Sequence, residues 1–227
     1  MTVRTRPSLL RLDSSADHPG ESVSRRLTTL FADLWGERHG TAGYRHRDLA
    51  AEPVPPISSA YCVLGRRAEI KGVVPASEVH ALVENAQEER EWALTLPLIT
   101  EVLAADTVLL GVPMYNFSVP ASLKAWIDRV SFPGAFPEGS LRETRVVVVI
   151  ARGGAYGPGT PREAFDFQEP YLRAYFGDLG VAEEHLHLVR AEMTLADRVP
   201  GLARFQGIAD ETLAEATATL TALATGR

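Results

Sequence analysis

Hydrophobic and polar positions change period several times along this chain. "PSLLRLDSS" (7–15) is a short apolar run closed by polar turn residues, which predicts a buried strand. "ESVSRRLTTLFADLWGER" (21–38) then spaces Leu27, Leu30, Phe31, Leu34 and Trp35 three and four apart, as on one helix face. "GYRHRDLA" (43–50) predicts a polar strand suited to a sheet edge. "DTVLLGVP" (106–113), "TRVVVVIARGG" (144–154) and part of "VAEEHLHLVRAE" (181–192) supply three more strands. The four valines and isoleucine of the fourth strand do not alternate with polar residues, so both of its faces should be buried. Helical patterns separate these runs. One covers 76–105, with Pro97 placed to kink or divide it, and others cover "SLKAWIDRV", 160–180 and 208–225. Residues 51–76, with prolines at 53, 55, 56 and 75, predict a long irregular surface excursion holding a small helical piece.

Strands and helices alternate five times, the pattern of one α/β domain over residues 1–227 with a parallel sheet and right-handed crossovers. Ligands of such sheets bind beyond the carboxyl ends of the strands, at the switch in strand order. The turns after the first, third and fourth strands are therefore where chemistry is expected.

Composition narrows the partners. The net charge is −6, which provides no electrostatic footprint for nucleic acid or an anionic membrane. The single cysteine, Cys62, cannot form a disulfide within the chain and reads as an ordinary thiol. The N-terminal apolar run is broken by Arg11 and Asp13, and no stretch reaches the roughly 18 apolar residues of a membrane span. The expectation is a cytoplasmic protein with no membrane or nucleic-acid partner. His185 and His187 share one side of a strand but have no evident third ligand, so no metal is expected.

The first turn, "DSSADHPGESVSRRL", sets Ser14 at the strand end and Ser22 and Ser24 at the helix start. Unpaired N–H groups at a helix start, with hydroxyls beside them, suit a phosphate. There is no Walker lysine and no G-x-G-x-x-G, so a monophosphate fits better than a triphosphate or dinucleotide. A helix cap is the alternative role for these serines. In the second turn, "PMYNF" (113–117) could support a flat ring, with Asn116 at its polar edge, or could simply be core. In the third, Gly153 and Gly154 remove side chains where a ligand could approach the backbone, or mark a flexible loop. Arg152 could meet a cofactor or a surface carboxylate, and Tyr156 could line the site.

These residues resemble the FMN-dependent NADH:quinone oxidoreductases, or azoreductases, of the flavodoxin-like superfamily. The resemblance runs through "LDSS…GESVS", "DLAAEPVP", "PMYNFSVPASLKAWIDRV", "ARGG" and "FQEPYLRAYFGDLG". It implies a flavodoxin-like sheet of order 2-1-3-4-5 with helices on both faces. It also implies an FMN phosphate at Ser14, Ser22, Val23 and Ser24. The flavin ring would lie against Pro113, Met114, Tyr115, Asn116 and Phe117, with Ala151, Arg152, Gly153 and Gly154 at its other edge. The resemblance further implies a homodimer with active sites at the interface. Its activity would be ping-pong transfer of two electrons from NADH or NADPH to a quinone, azo compound or related small-molecule acceptor. A flavodoxin-like electron carrier, and a scaffold without flavin, are the alternatives.

Two departures stand out. The segment "SFPGAFPEGSLRETR" (131–145) is shorter than the family's aromatic flap, leaving Phe132 and Phe136 as lining candidates beside Tyr156. In "FGDLG" (176–180), Asp178 replaces the family's substrate-facing phenylalanine. A carboxylate there would favour a polar or cationic acceptor and could exchange a proton, unless it is solvated or paired with an arginine.

Overall fold

Five strands pair in parallel in a computed structural model that describes residues 7–18, 20–72 and 74–226. They are β1 (Leu9–Asp13), β2 (Tyr44–Asp48), β3 (Thr107–Pro113), β4 (Arg145–Ala151) and β5 (Leu186–Ala191), in the order 2-1-3-4-5. Leu9 of β1 sits between Tyr44 and Thr107, so the strand order reverses beside β1 and β3. Six α-helices among the described residues flank the sheet: α1 (Val23–His39), α2 (Ser59–Lys71), α3 (Ala86–Leu103), α4 (Ala121–Val130), α5 (Gln168–Asp178) and α6 (Gln206–Thr225).

The period-two geometry of the strands divides the core into two layers. Leu10, Val108, Leu110, Val148 and Ile150 pack with residues of α2 to α5, while Leu9, Leu109, Val147 and Val149 pack with α1 and α6. β3 and β4 are apolar on both faces because helices cover both. Gly111 is the gap in this pattern: a Cβ there would lie 2.6 Å from the Asp13 carboxylate. That space lets Asp13 stay buried among Arg11, Thr28 and His46.

Three element boundaries differ from the sequence expectation. The Pro-rich excursion contains a helix of 13 residues, α2, capped by the Ser58 hydroxyl. The expected helix from 76 is a 3-10 segment, Ala76–Leu82, and α3 starts only after Asn85, whose side chain accepts the N–H groups of Gln87 and Glu88. Pro97 lies inside α3 without dividing it. The pattern at 160–180 becomes α5 only from Gln168, because Asp166 accepts the N–H groups of Gln168 and Glu169 and starts the helix there.

Candidate functional site

The first turn delivers a helix start. Ser22 is the N-cap of α1; its hydroxyl is 3.4 Å from the Arg25 N–H and 3.2 Å from the Ser24 hydroxyl. No acidic side chain occupies the first helical turn. One hydroxyl proton is used between the two serines. The other, together with the first helical N–H groups, remains for an anion. Arg25 reaches back to the Ser15 carbonyl at 2.6 Å and pins Asp48. That pairing pushes the Asp48 carboxyl down to about 2, the hydrogen bond from Arg25 being the main cause.

The second turn is strained. Tyr115 and Ser118 exchange backbone hydrogen bonds of 3.0 and 3.1 Å, closing a turn on Asn116 (φ 47°) and Phe117 (φ 71°). Positive φ at both central positions is the mark of a type I′ turn, which favours Asn followed by Gly. Asn116 suits its place, whereas Phe117 carries a Cβ where glycine is preferred, at a cost of about 1–3 kcal/mol. Its ring meets Tyr156 at 6.2 Å and Phe165 at 5.3 Å. The Tyr115 hydroxyl accepts the Ala16 N–H at 3.1 Å and ties this turn to the first. Met193, after β5, is the third non-glycine residue with positive φ among those described, and all three line one cavity.

That cavity has a volume of about 990 Å³. Ser22, Val23 and Ser24 reach it from the first turn, and Pro113, Met114, Tyr115, Asn116 and Phe117 from the second. Ala151, Gly153, Gly154 and Tyr156 reach it from the third. The double glycine also accommodates neighbouring side chains. A Cβ on Gly153 would lie 2.8 Å from the Leu195 side chain, and one on Gly154 would lie 3.2 Å from the Tyr156 ring. The glycines make room for the cavity's own walls.

Five expected residues lie elsewhere. The Ser14 hydroxyl is buried and donates to the Gly111 carbonyl at 2.7 Å, joining β1 to β3; Ser15 lines the cavity instead. Arg152 is fully buried and bonds to Asp166 (2.7 Å), Glu192 (3.1 Å) and Gln168 (3.3 Å). Of its two open roles, it takes the carboxylate one, and those carboxylates sit within the fold. Glu192 also accepts the Tyr156 N–H at 3.0 Å, so Arg152 organises the third turn from behind. Phe132 is core, edge-on to Tyr61 at 5.4 Å, and Phe136 packs on the same cluster. Asp178 is exposed at the end of α5. Phe132, Phe136 and Asp178 share one reason. A helix following a strand runs back down the sheet, so its last residues leave the ligand edge. Ten residues of α5 carry Asp178 about 15 Å from Gln168.

The segment after β5 was missed. Thr194, Leu195, Arg198, Arg204 and Phe205 line the cavity, as do Asp17, Glu21 and Arg162. "MTLADRVPGLARF" (193–205) follows a strand at the same sheet edge, and applying the strand-end rule to the fifth strand would have found it. Cys62 lies in α2, partly buried against the core. His185 precedes β5 and sits 3.7 Å from Glu143.

Residues 7–211 match the family described as having a flavodoxin-like fold. An FMN-dependent NADH:quinone oxidoreductase of Nocardia farcinica is 42% identical over 211 residues, covering 92% of this chain and 94% of that protein. The chain belongs to the FMN-dependent NADH:quinone oxidoreductase family. Another protein of that name in Frankia casuarinae is 38% identical over 217 residues, covering 93% of this chain and 96% of its own. The flavodoxin-like fold of this oxidoreductase family is shared by an azoreductase of Bacillus anthracis str. Sterne. That structure has a TM-score of 0.78 at 20% identity and covers 97% of this chain and 100% of that one. A B. anthracis FMN-dependent NADH-azoreductase solved with FMN has a TM-score of 0.75 at 19% identity, covering 96% and 99%.

Proposed function

We propose that the protein is an FMN-dependent oxidoreductase that moves two electrons from NADH or NADPH to a quinone, an azo compound or a related acceptor. The observation that carries this reading is one cavity with a hydroxyl-flanked helix start and a strained aromatic turn in its walls. The donor set fits FMN. The start of α1 has no acid in its first turn, and the nearby Glu21 is neutralised by Arg198 at 2.6 Å. Bound FMN supplies two-electron redox chemistry between the nicotinamide and the acceptor.

The protein's own residues bind and orient. Ser22, Ser24 and the N–H groups of α1 hold the phosphate. Pro113 to Phe117 form one wall for the ring, and Gly153, Gly154 and Tyr156 another, with Asn116 at the polar edge. Arg152, through Glu192 and Asp166, keeps the third turn in place. One cavity serving donor and acceptor in turn gives ping-pong kinetics. The cavity also extends to Arg162 and Phe205, space that a simple electron carrier would not need.

Phe117, Phe165 and Phe167 are exposed, and the Phe167 N–H donates to the Phe117 carbonyl. This apolar surface at the cavity supports a homodimer with sites at the interface. No helix among the described residues is long and apolar enough to cross a membrane, which accords with a cytoplasmic enzyme.

The test is the visible spectrum of the protein after addition of FMN, followed by anaerobic NADH or NADPH and then a quinone. Flavin absorbance that a nucleotide bleaches and the quinone restores is the expected result. Bound flavin that neither nucleotide bleaches would refute the enzyme reading in favour of a carrier, and failure to bind FMN would refute both.

A further inference from the structure

The cavity contains two guanidinium groups to which the proposed FMN site assigns no role. Arg162, from the loop before α5, and Arg204, from the turn before α6, both line it. Other arginines around the site are matched by carboxylates: Arg25 by Asp48, Arg152 by Asp166 and Glu192, and Arg198 by Glu21. Arg162 and Arg204 have no such partner among the described residues.

Both are held against aromatic rings. The Arg162 Nη1 donates to the Tyr156 hydroxyl at 3.3 Å, and its guanidinium lies 5.9 Å over the Tyr156 ring. Arg204 lies 4.7 Å over the ring of Phe205. Tyr156 and Phe205 are themselves cavity walls. A guanidinium stacked on an aromatic wall is preorganised, and its remaining planar donors suit the two oxygens of an oxyanion. The cavity's carboxylates, Asp17 and Glu21, belong to the turn before α1. Asp17 accepts the His18 N–H, and Glu21 is paired with Arg198.

We propose that Arg162, assisted by Arg204, recognises a carboxylate, sulfonate or phosphate on a molecule entering the cavity. The acceptor is the first source of that group, and the extra phosphate of NADPH is the second. This inference rests on the oxidoreductase reading and specifies its substrate class. The sign is opposite to the cationic acceptor that Asp178 suggested from sequence.

The test uses the full-length, FMN-loaded protein. The ratio of kcat/KM for 1,2-naphthoquinone-4-sulfonate to that for 1,2-naphthoquinone is compared between native protein and Arg162→Gln. Anthraquinone-2-sulfonate is titrated calorimetrically into both oxidised proteins. Loss of one charge-assisted contact should lower the ratio about tenfold and weaken the titrated binding about as much. Arg162→Lys, which keeps the charge without the fork, should recover part of the loss. Arg204→Gln should lower the ratio less. An unchanged acceptor ratio with a reduced NADPH-to-NADH ratio would assign the oxyanion to the nucleotide and uphold the recognition. If both ratios and the titration are unaltered in a variant that still binds FMN and reduces the neutral quinone, the inference is overturned and the oxidoreductase reading survives. If native protein neither binds FMN nor turns over a quinone, that reading fails instead, and the titration alone decides the role of the arginines.

Discussion

Replacing Arg152 with Met should unfasten the third turn from behind. The guanidinium is fully buried and faces Asp166 and Glu192, whose side chains are 13% and 10% exposed. Removing it leaves two carboxylates without their cation. Removing one partner of a buried pair costs about 3–5 kcal/mol, and the slight exposure of the carboxylates places this site near 3 kcal/mol. With a urea slope of about 3 kcal/mol/M, the unfolding midpoint should fall by about 1 M. The measurement requires fixed protein concentration, because the stability of the proposed dimer would depend on it. Adding Glu192→Gln should restore about 1 kcal/mol, since one uncompensated charge is then neutral. FMN affinity should fall in parallel, because Asp166 starts α5 and Glu192 holds the Tyr156 N–H. A midpoint within about 0.3 M of native, with unchanged FMN affinity, would refute the account of Arg152 as the organiser of this wall.

Other perturbations separate the remaining effects. Phe117→Gly should be more stable than Phe117→Ala by about 1 kcal/mol in thermal unfolding, since only glycine relieves the positive φ; equal stabilities would remove the strain argument. Ser22→Ala with Ser24→Ala should reduce the preference for FMN over riboflavin if, as proposed, the hydroxyls address the phosphate; a preserved preference would place the phosphate elsewhere. Asp48 is depressed from 3.8 to about 2, so its stabilisation is complete above its unfolded value and is lost as pH falls towards 2. The stability difference between native protein and Arg25→Met should therefore be about 1 kcal/mol at neutral pH, allowing for solvent screening, and should shrink below about pH 4. A difference that stays constant down to about pH 2.5 would detach it from Asp48.

The parallel sheet was legible because apolar runs such as 106–113 and 144–151 record burial on both faces, and burial is written residue by residue. Ser22, Ser24 and the 113–117 turn were legible for a related reason. They sit at junctions where a strand ends or a helix starts, and local chemistry marks such places. Phe132, Phe136 and Asp178 were misplaced because no local pattern states which end of the sheet a loop occupies. The antiparallel return of α4 and α5 sends all three away from the cavity. Arg152 and its carboxylates are 14 and 40 residues apart in sequence and meet only when β4, β5 and the loop before α5 pack together. The same holds for the cavity's basic side, which joins Arg162 and Arg204 from two separate loops. Sequence by itself determined the elements and the chemistry at their ends. Tertiary packing decided which ends meet, because contacts between distant segments depend on the path of the chain and not on the residues beside them.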